Sequence, residues 1–348
     1  MSDILGVGIT HYPSFLPEVT GPGSLHRVLK DPGLPERYRT PKGWPEPMQR
    51  EWGNDDGRAF ADQHRKSVVA AMKDARAVLD AFKPDFILVW GDDQYENFRE
   101  DVIPPFCIMA YDAVDVQPWM KNDRPNAWGE AKDTTFHVKG HRSGAKYLAN
   151  KLIEQDFDVA YAYKPLHVPL SHAFINSVLF LDWDRRGLDI PLVPFSVNCY
   201  GRKIIAAHGY IESLENPISE DNLDPPSPSP ARCFDLGVAC ARSLLASPWR
   251  VALVASASWS HAFLTRKNWF LYPDTECDRR LFNALKAGDY DVWRSTSLRA
   301  IEDSGQHEML NWFCLAGAMS ELGHKPKQAA FFETYIMNSN KVITTFAP

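Results

Sequence analysis

Short apolar runs alternate along this chain with longer stretches of helical periodicity. The runs at residues 4–9, 85–90, 159–163, 192–198 and 251–255 have the length and composition of strands buried on both faces. Apolar residues recur every three or four positions in five other segments, which predicts helices at 58–82, 142–154, 171–181, 231–245 and 308–322. We expect the rest of the chain after residue 255 to be helical. The alternation predicts an α/β fold, a mixed central sheet covered by helices on both faces.

Two segments interrupt this alternation. Residues 21–57 are rich in proline, glycine, tryptophan and charge, and we interpret them as an ordered N-terminal excursion that serves as a lid or an oligomer contact. Residues 215–230 contain few apolar positions and end in PPSPSP, which predicts a proline-stiffened surface linker. The length would allow two domains, but α/β folds of this size often form one, so we predict that residues 1–348 form a single domain.

Composition narrows the class of protein. Of 348 residues, 45% are hydrophobic and 24% charged, as in soluble globular enzymes. No apolar run reaches the ~18 residues of a membrane span, and the first residues lack the basic segment of a signal peptide. A net charge of -6 argues against nucleic acid as a partner. Six cysteines without a CxxC pair indicate reduced thiols and a cytoplasmic protein.

Histidines follow several of the predicted strands. His11 follows the first strand, a polar cluster at 91–98 the second, His167 the third and His261 the last. Because parallel strands end at one edge of a sheet, these residues could share one rim, where open α/β sheets bind ligands. Glu308 opens a helix and could face the same cleft. Two histidines and a carboxylate suit Fe(II) and oxygen chemistry, and the same ligand types also hold catalytic zinc.

A series of short motifs resembles the class III extradiol ring-cleavage dioxygenases, the family of protocatechuate 4,5-dioxygenase β subunits. They occur in the family's order over nearly the whole chain, at 8–13 (GITHYP), 93–98 (DQYENF), 103–107 (IPPFC), 167–171 (HVPLS), 194–198 (PFSVN), 232–237 (RCFDLG), 259–261 (WSH), and Glu308 with Trp312. The excursion at 21–57 has no counterpart in the β subunit.

The resemblance implies a non-haem Fe(II) enzyme, with iron favoured over manganese or zinc. By position, His11 and Glu308 match two metal ligands and His261 matches the histidine that acts on the catechol hydroxyl. His167 is similar in place to a second acid/base histidine, and His172 is its rival. The implied partners are a small catechol-type aromatic substrate and O2, and the implied product is an open-chain oxo acid. Family members that work as dimers suggest a homo-oligomer.

One departure from the family pattern concerns its second histidine ligand, where this chain has Gln94. Gln94 could ligate through its amide oxygen, His64 could fill the vacancy, or the chain could bind metal poorly. The pair Asp92 and Asp93 offers further oxygen donors, although we expect Asp92 rather to cap backbone amides.

Four residues are candidates for substrate contacts: Tyr12, Tyr95, Trp259 and Asn198. The aromatic ones could equally fill core. Two competing hypotheses remain open, a zinc-type hydrolase or lyase on the same rim and a metal-poor, non-catalytic partner subunit.

Overall fold

The computed structural model of the protein describes residues 3–347, and these contain ten strands and eleven α-helices. The strands are β1 Ile4–Ile9, β2 Phe86–Asp92, β3 Phe106–Met109, β4 Ala113–Val116, β5 Phe136–Lys139, β6 Ala160–Ala162, β7 Leu192–Val197, β8 Val251–Ser256, β9 Pro326–Phe332 and β10 Lys341–Phe346. The helices are α1 Gly23–Val28, α2 Glu46–Trp52, α3 Arg58–Phe82, α4 Arg142–Ile153, α5 His172–Leu181, α6 Gly201–Ala206, α7 Pro230–Leu245, α8 Thr275–Ala287, α9 Tyr290–Arg294, α10 Leu298–Asp303 and α11 Met309–Glu321.

Eight of these strands form one mixed sheet in the order β6-β3-β7-β2-β8-β1-β10-β9. The four central strands β7, β2, β8 and β1 are mutually parallel. Strand β10 pairs antiparallel with β1, and β3 pairs antiparallel with β7. The carboxyl ends of the four parallel strands therefore lie side by side at one edge of the sheet.

The sheet is buried on both faces, as the apolar runs predict. Side chains alternate across strand β2, so that Phe86, Leu88 and Trp90 belong to one core and Ile87 and Val89 to the other. Helices α4, α7 and α11 cover the first core, and α3 and α5 cover the second. The predicted fold class, a mixed sheet with helices on both faces, is confirmed.

Close helix packing holds α11 over the sheet. Gly237 of α7 lies against the carbonyl of Cys314, and Gly317 of α11 lies against the carbonyl of Phe234. A Cβ atom at either glycine would overlap the facing backbone. The two helices can approach this closely only without side chains at these positions.

The prediction that the chain is helical after residue 255 is wrong. Strands β9 and β10 form the end of the sheet, and β10 lies next to β1. β9 has the sequence PKQAAFF and is half-buried, so its strand conformation depends on pairing with β10 rather than on its own composition. β10 has the β-branched composition of a strand (KVITTF), a signal that the prediction missed. The short strands β3, β4 and β5 were also not predicted.

The excursion at 21–57 packs on the second core. Leu25, Trp44 and Met48 are buried there, and the carboxylate of Glu51 accepts hydrogen bonds from the backbone amides of Tyr335 (2.6 Å) and Ile336 (3.1 Å). The segment is thus anchored to the turn before β10. Its role as a lid or an oligomer contact stays a prediction.

Two further expectations concern thiols and membranes. All six cysteines lie in the described part of the chain, and none of them is in a disulfide. Among residues 3–347, no helix combines the length and the apolar character required to cross a membrane.

Candidate active site

The ends of the parallel strands bring together polar residues from distant parts of the chain. Ile9 of β1 is paired with Ser256 of β8, and Asp92 of β2 with Val197 of β7, so all four strands end at the same level. His11 follows β1, His261 follows β8, and Asp92 is the last residue of β2. The structure brings His11, Asp92 of the 91–98 cluster and His261 together here, whereas His167, which we expected at the same rim, pairs with Asp101.

Glu308 enters this cluster from helix α11, which it precedes as the N-cap residue without capping it by its side chain. Its Oε1 accepts hydrogen bonds from the hydroxyl of Tyr200 (2.6 Å) and pairs with Nε2 of His261 (3.0 Å). Its Oε2 accepts from the amide of Ser258 (3.0 Å) and lies 3.4 Å from Nε2 of His11. Burial opposes the charge of Glu308, but its contacts with His261, His11 and the Tyr200 hydroxyl outweigh this effect and hold the pKa of Glu308 below its usual range.

His11 is a buried imidazole with two differently placed nitrogens. Its Nδ1 is 3.1 Å from Oγ of Ser256, and its Nε2 faces Oδ1 of Asp92 at 3.6 Å and Oε2 of Glu308 at 3.4 Å. Burial lowers the pKa of His11 to about 4, so the ring is neutral near pH 7. In the tautomer whose Nδ1 donates to Ser256, the Nε2 lone pair faces the two carboxylates, as a metal ligand requires.

Asp92 is fully buried with one of its oxygens unsatisfied. Oδ1 accepts a hydrogen bond from Nδ2 of Asn311 (3.3 Å), whereas Oδ2 has no hydrogen-bond partner among the described residues. Burial, followed by the charge of Glu308, raises the pKa of Asp92 well above its usual value. A buried carboxylate that lacks a partner is costly, and a bound cation would remove this cost.

His172, the first residue of α5, reaches the same cluster from the other face of the sheet. Its ring centroid is 5.0 Å from that of His11, and one ligand atom from each of His11, Asp92 and His172 lies within 4.8 Å of the others. Glu96 accepts from the His172 backbone amide (2.9 Å) and pairs with its Nδ1 (2.7 Å). Burial lowers the pKa of His172, but Glu96, Asp92 and Glu308 together raise it to about 10, a measure of the negative field at this point.

The two residues suggested for the missing ligand have other contacts. The side-chain amide of Gln94 donates to the carbonyl of Gly209 at 2.7 Å. His64 lies on α3 in the second core among the rings of Phe15, Phe60 and Phe332. Burial lowers the pKa of His64 well below its usual value. Neither residue is among the side chains found around His11.

The roles expected for the Asp92–Asp93 pair are reversed. Asp93 is the residue that caps backbone amides, accepting from the amides of Glu96, Asn97 and Phe98 at 2.7–3.2 Å. Asp92 instead continues the alternation of β2 toward α11, where Asn311 contacts it. The expectation that Asp92 caps amides was wrong because the cap forms one residue later, after the strand has ended.

The two rival histidines are placed differently. His167 is one-third exposed, and its Nε2 pairs with Oδ2 of Asp101 at 3.1 Å. His172 is the one that lies beside His11.

The four candidate substrate residues have contacts typical of structural roles. Trp259 packs in the first core against Trp293, Trp312 and Phe282. Nζ of Lys341 lies over the ring of Tyr12, 3.7 Å from its centroid. Tyr95 stacks on His208, with 5.0 Å between the ring centroids, and Oδ1 of Asn198 accepts from the amide of Gly201 at the start of α6.

Sequence reasoning missed Ser256, Glu96 and Asn311. Asn311 lies three residues after Glu308, so the two share one side of the first turn of α11, and this spacing was a usable signal. Glu96 lies in a quoted motif, but its pairing with His172, 76 residues away, has no local signature.

A cleft of about 820 Å³ adjoins the cluster. Its lining comes from segments 200–223, 263–267 and 299–307. Tyr200, which bonds to Glu308, and Phe263, whose ring centroid is 5.2 Å from that of His261, form part of its wall. Glu212 in the same wall pairs with Lys203 (3.0 Å) and Arg266 (2.9 Å). Because one carboxylate faces two cations, these three side chains together carry a net positive charge.

Comparison with known proteins agrees with this geometry. The family model described as the catalytic LigB subunit of aromatic ring-opening dioxygenase matches residues 215–343, a segment that contains His261 and Glu308. Three relatives are named 2,3-dihydroxyphenylpropionate/2,3-dihydroxicinnamic acid 1,2-dioxygenase. The protein from Comamonas testosteroni is 27% identical over 191 residues, 55% of this chain and 47% of its own length. Those from Rhodococcus globerulus and Rhodococcus sp are 23% and 28% identical, covering 74% and 76% of this chain and 83% and 86% of their own lengths.

The Comamonas match thus spans about half the length of that relative, whereas the two Rhodococcus matches extend over most of both chains. Together with the mixed α/β fold and the strand-end cluster, these matches support the resemblance on which the short motifs were based. The chain is therefore similar to the class III extradiol dioxygenases, both in the segment that the family model matches and over most of the length of the two Rhodococcus proteins.

Proposed function

We propose that this protein is a non-haem Fe(II)-dependent extradiol dioxygenase that opens the ring of a catechol-type substrate with O2 to give an open-chain oxo acid. The observation that carries the proposal is a buried series of close contacts at the strand ends, in which His11 faces Asp92 and Glu308, and Glu308 pairs with His261. Family relatives named as dioxygenases support it.

The residues present fit a divalent metal ion. His11 is neutral, Glu308 is ionised, and Asp92 has a buried oxygen without a partner. A mixture of imidazole and carboxylate donors suits Fe(II), and manganese and zinc are less favoured alternatives. When bound, iron supplies the redox chemistry that allows a catechol to react with O2 and lowers the pKa of hydroxyl groups that it binds.

The chain's own groups would handle the protons. Nε2 of His261 is held by Glu308, and its buried Nδ1 has no hydrogen-bond partner among the described residues. We assign Nδ1 of His261 as the atom that accepts the proton of a catechol hydroxyl and later returns it. A buried imidazole beside a carboxylate suits such a general base.

The adjoining cleft would hold the substituent of the ring. It is far larger than a catechol ring requires, and Lys203 and Arg266 share the single carboxylate of Glu212. We propose that the substituent carries a carboxylate, which these two cations would bind. The substrates in the names of the relatives, dihydroxyphenylpropionate and dihydroxycinnamic acid, have such a substituent.

The test is metal content after anaerobic purification, followed by oxygen uptake on a panel of catechols with and without a carboxylate-bearing side chain. We expect near-stoichiometric iron, and one O2 consumed for each ring opened to a yellow product. The matched control is the same protein stripped of iron and loaded with zinc, which should consume no oxygen. Zinc in the purified protein without oxygen uptake would favour a hydrolase or lyase. Lack of metal and of uptake, even after Fe(II) is added back, would favour a non-catalytic partner subunit.

A further inference from the structure

Position 94 of this chain does not supply the imidazole that the family pattern implies for its metal centre. Gln94 stands where the family has its second histidine ligand, and its amide is hydrogen-bonded to Gly209. The imidazole that the fold brings next to His11 comes instead from helix α5, 78 residues after Gln94 in the sequence.

His172 is held in one orientation by a single carboxylate. Glu96 binds both its backbone amide and its Nδ1, so the ring cannot turn without losing the 2.7 Å contact. Nδ1 is therefore occupied, and Nε2 is the nitrogen left for a metal. A carboxylate that fixes the other nitrogen of a metal-bound histidine is a frequent arrangement in metalloproteins.

Asp92 adds a donor beside Nε2 of His11. Its Oδ1 lies 3.6 Å from Nε2 of His11, and Asn311 holds the same oxygen from α11. Its Oδ2 is buried without a partner among the described residues. Elements from both faces of the sheet thus supply donors around His11: α5 provides His172, within 4.8 Å of His11 and Asp92, and α11 is preceded by Glu308, 3.4 Å from His11.

We propose that the metal is bound by His11, His172, Asp92 and Glu308, and that His172, oriented by Glu96, replaces the imidazole absent at position 94. The inference rests on the proposed function, because it assumes a divalent metal at this site. It assigns His172 to metal binding and leaves the catalytic proton transfer to His261.

The test measures metal binding by the apoprotein without substrate or oxygen. Co(II) titration followed by visible absorption gives the affinity, and pulsed electron paramagnetic resonance of bound vanadyl in protein with ¹⁵N-labelled histidine counts the coordinated imidazoles. We expect two imidazoles in the wild-type protein and one in His172→Ala. Glu96→Gln should weaken Co(II) binding on the order of 10–100-fold, and His172→Ala should weaken it at least as much.

Two variants act as controls. Gln94→Ala should bind Co(II) as the wild type does, and so should His137→Ala, which removes an exposed imidazole from β5. Circular dichroism of His172→Ala should match that of the wild type. If it does not, His172→Gln, which is closer in size, replaces it in the imidazole count.

The inference is overturned if the His172 variant keeps wild-type affinity and two imidazoles and only ring opening slows, since His172 would then be an acid/base residue. Loss of metal in Gln94→Ala would overturn it as well. The proposed function fails separately, when the iron-loaded wild type shows the expected ligands and still consumes no oxygen with any catechol.

Discussion

The hydroxyl of Tyr200 donates a hydrogen bond of 2.6 Å to Oε1 of Glu308, the carboxylate on which His11 and His261 converge. Both residues are almost fully buried. With Tyr200 and His261 occupying Oε1, the other oxygen, Oε2, is the one directed toward His11. Tyr200 also forms part of the wall of the cleft in which we place the substituent of the substrate. It therefore contacts both this cleft and Glu308 of the proposed metal centre.

Removal of this hydroxyl should destabilise the site. Tyr200→Phe leaves a buried carboxylate with one donor fewer, and hydrogen bonds to charged groups contribute about 1.5–3 kcal/mol. We expect the free energy of unfolding from urea denaturation of the apoprotein to fall by about that amount, and Co(II) affinity to fall with it. Tyr210→Phe, at a tyrosine that is 78% exposed, is the matched control. Unchanged stability and affinity in Tyr200→Phe would show that Glu308 does not depend on this bond.

His261 should matter for turnover rather than for metal content. General acid–base groups typically contribute 10²–10⁴-fold, so His261→Ala should lower the rate per bound iron on the order of 100-fold or more. Iron content, measured by elemental analysis, should stay close to that of the wild type. A variant that loses its iron but keeps the rate per remaining iron would contradict the assigned role.

Arg266 should determine the preference for carboxylate-bearing catechols. Arg266→Met removes one of the two cations on Glu212, and we expect KM to rise about 10-fold for such substrates, a change of about 1.4 kcal/mol. KM for unsubstituted catechol should not change. Arg299→Met is the control, because Arg299 lines the same cleft and is 89% exposed. An equal effect of Arg266→Met on both substrates would exclude a contact with the carboxylate.

Glu51 should make stability depend on pH. Burial raises the pKa of Glu51 to about 7, although the amides of Tyr335 and Ile336 and the hydroxyl of Thr334 partly oppose this. The folded state therefore binds the proton of Glu51 more tightly than the unfolded state does. The contribution of protonated Glu51 to the free energy of unfolding is present below about pH 4.5 and is lost as the pH rises through 7.

The amide of Glu51→Gln can still accept these hydrogen bonds but cannot ionise. In urea unfolding, the stability of this variant relative to the wild type should increase between pH 5 and pH 8. Glu46→Gln, at an exposed glutamate of the same helix, should show no such trend. A pH-independent difference for Glu51→Gln would mean that Glu51 titrates normally in the folded protein.

Much of the fold followed from local pattern. The apolar runs of β1, β2, β7 and β8 determined a sheet buried on both faces, because each run is too short and too uniformly apolar for a surface helix. The same runs placed His11 and His261 at strand ends. The short motifs indicated the resemblance to ring-cleavage dioxygenases, and this resemblance singled out Glu308, at the start of a predicted helix, as a metal ligand.

Only the tertiary structure decided which further residues surround His11 and Glu308. Asp92 and Asp93 are neighbours of the same type, but Asp92 continues the strand toward α11 whereas Asp93 begins the turn and binds its amides. His172 reaches His11 because α5 packs on the sheet, and Glu96 then fixes its ring. Periodicity describes each segment by itself, whereas a set of ligands depends on how distant segments pack. The residues that surround the proposed metal were therefore only partly predictable from the order of amino acids.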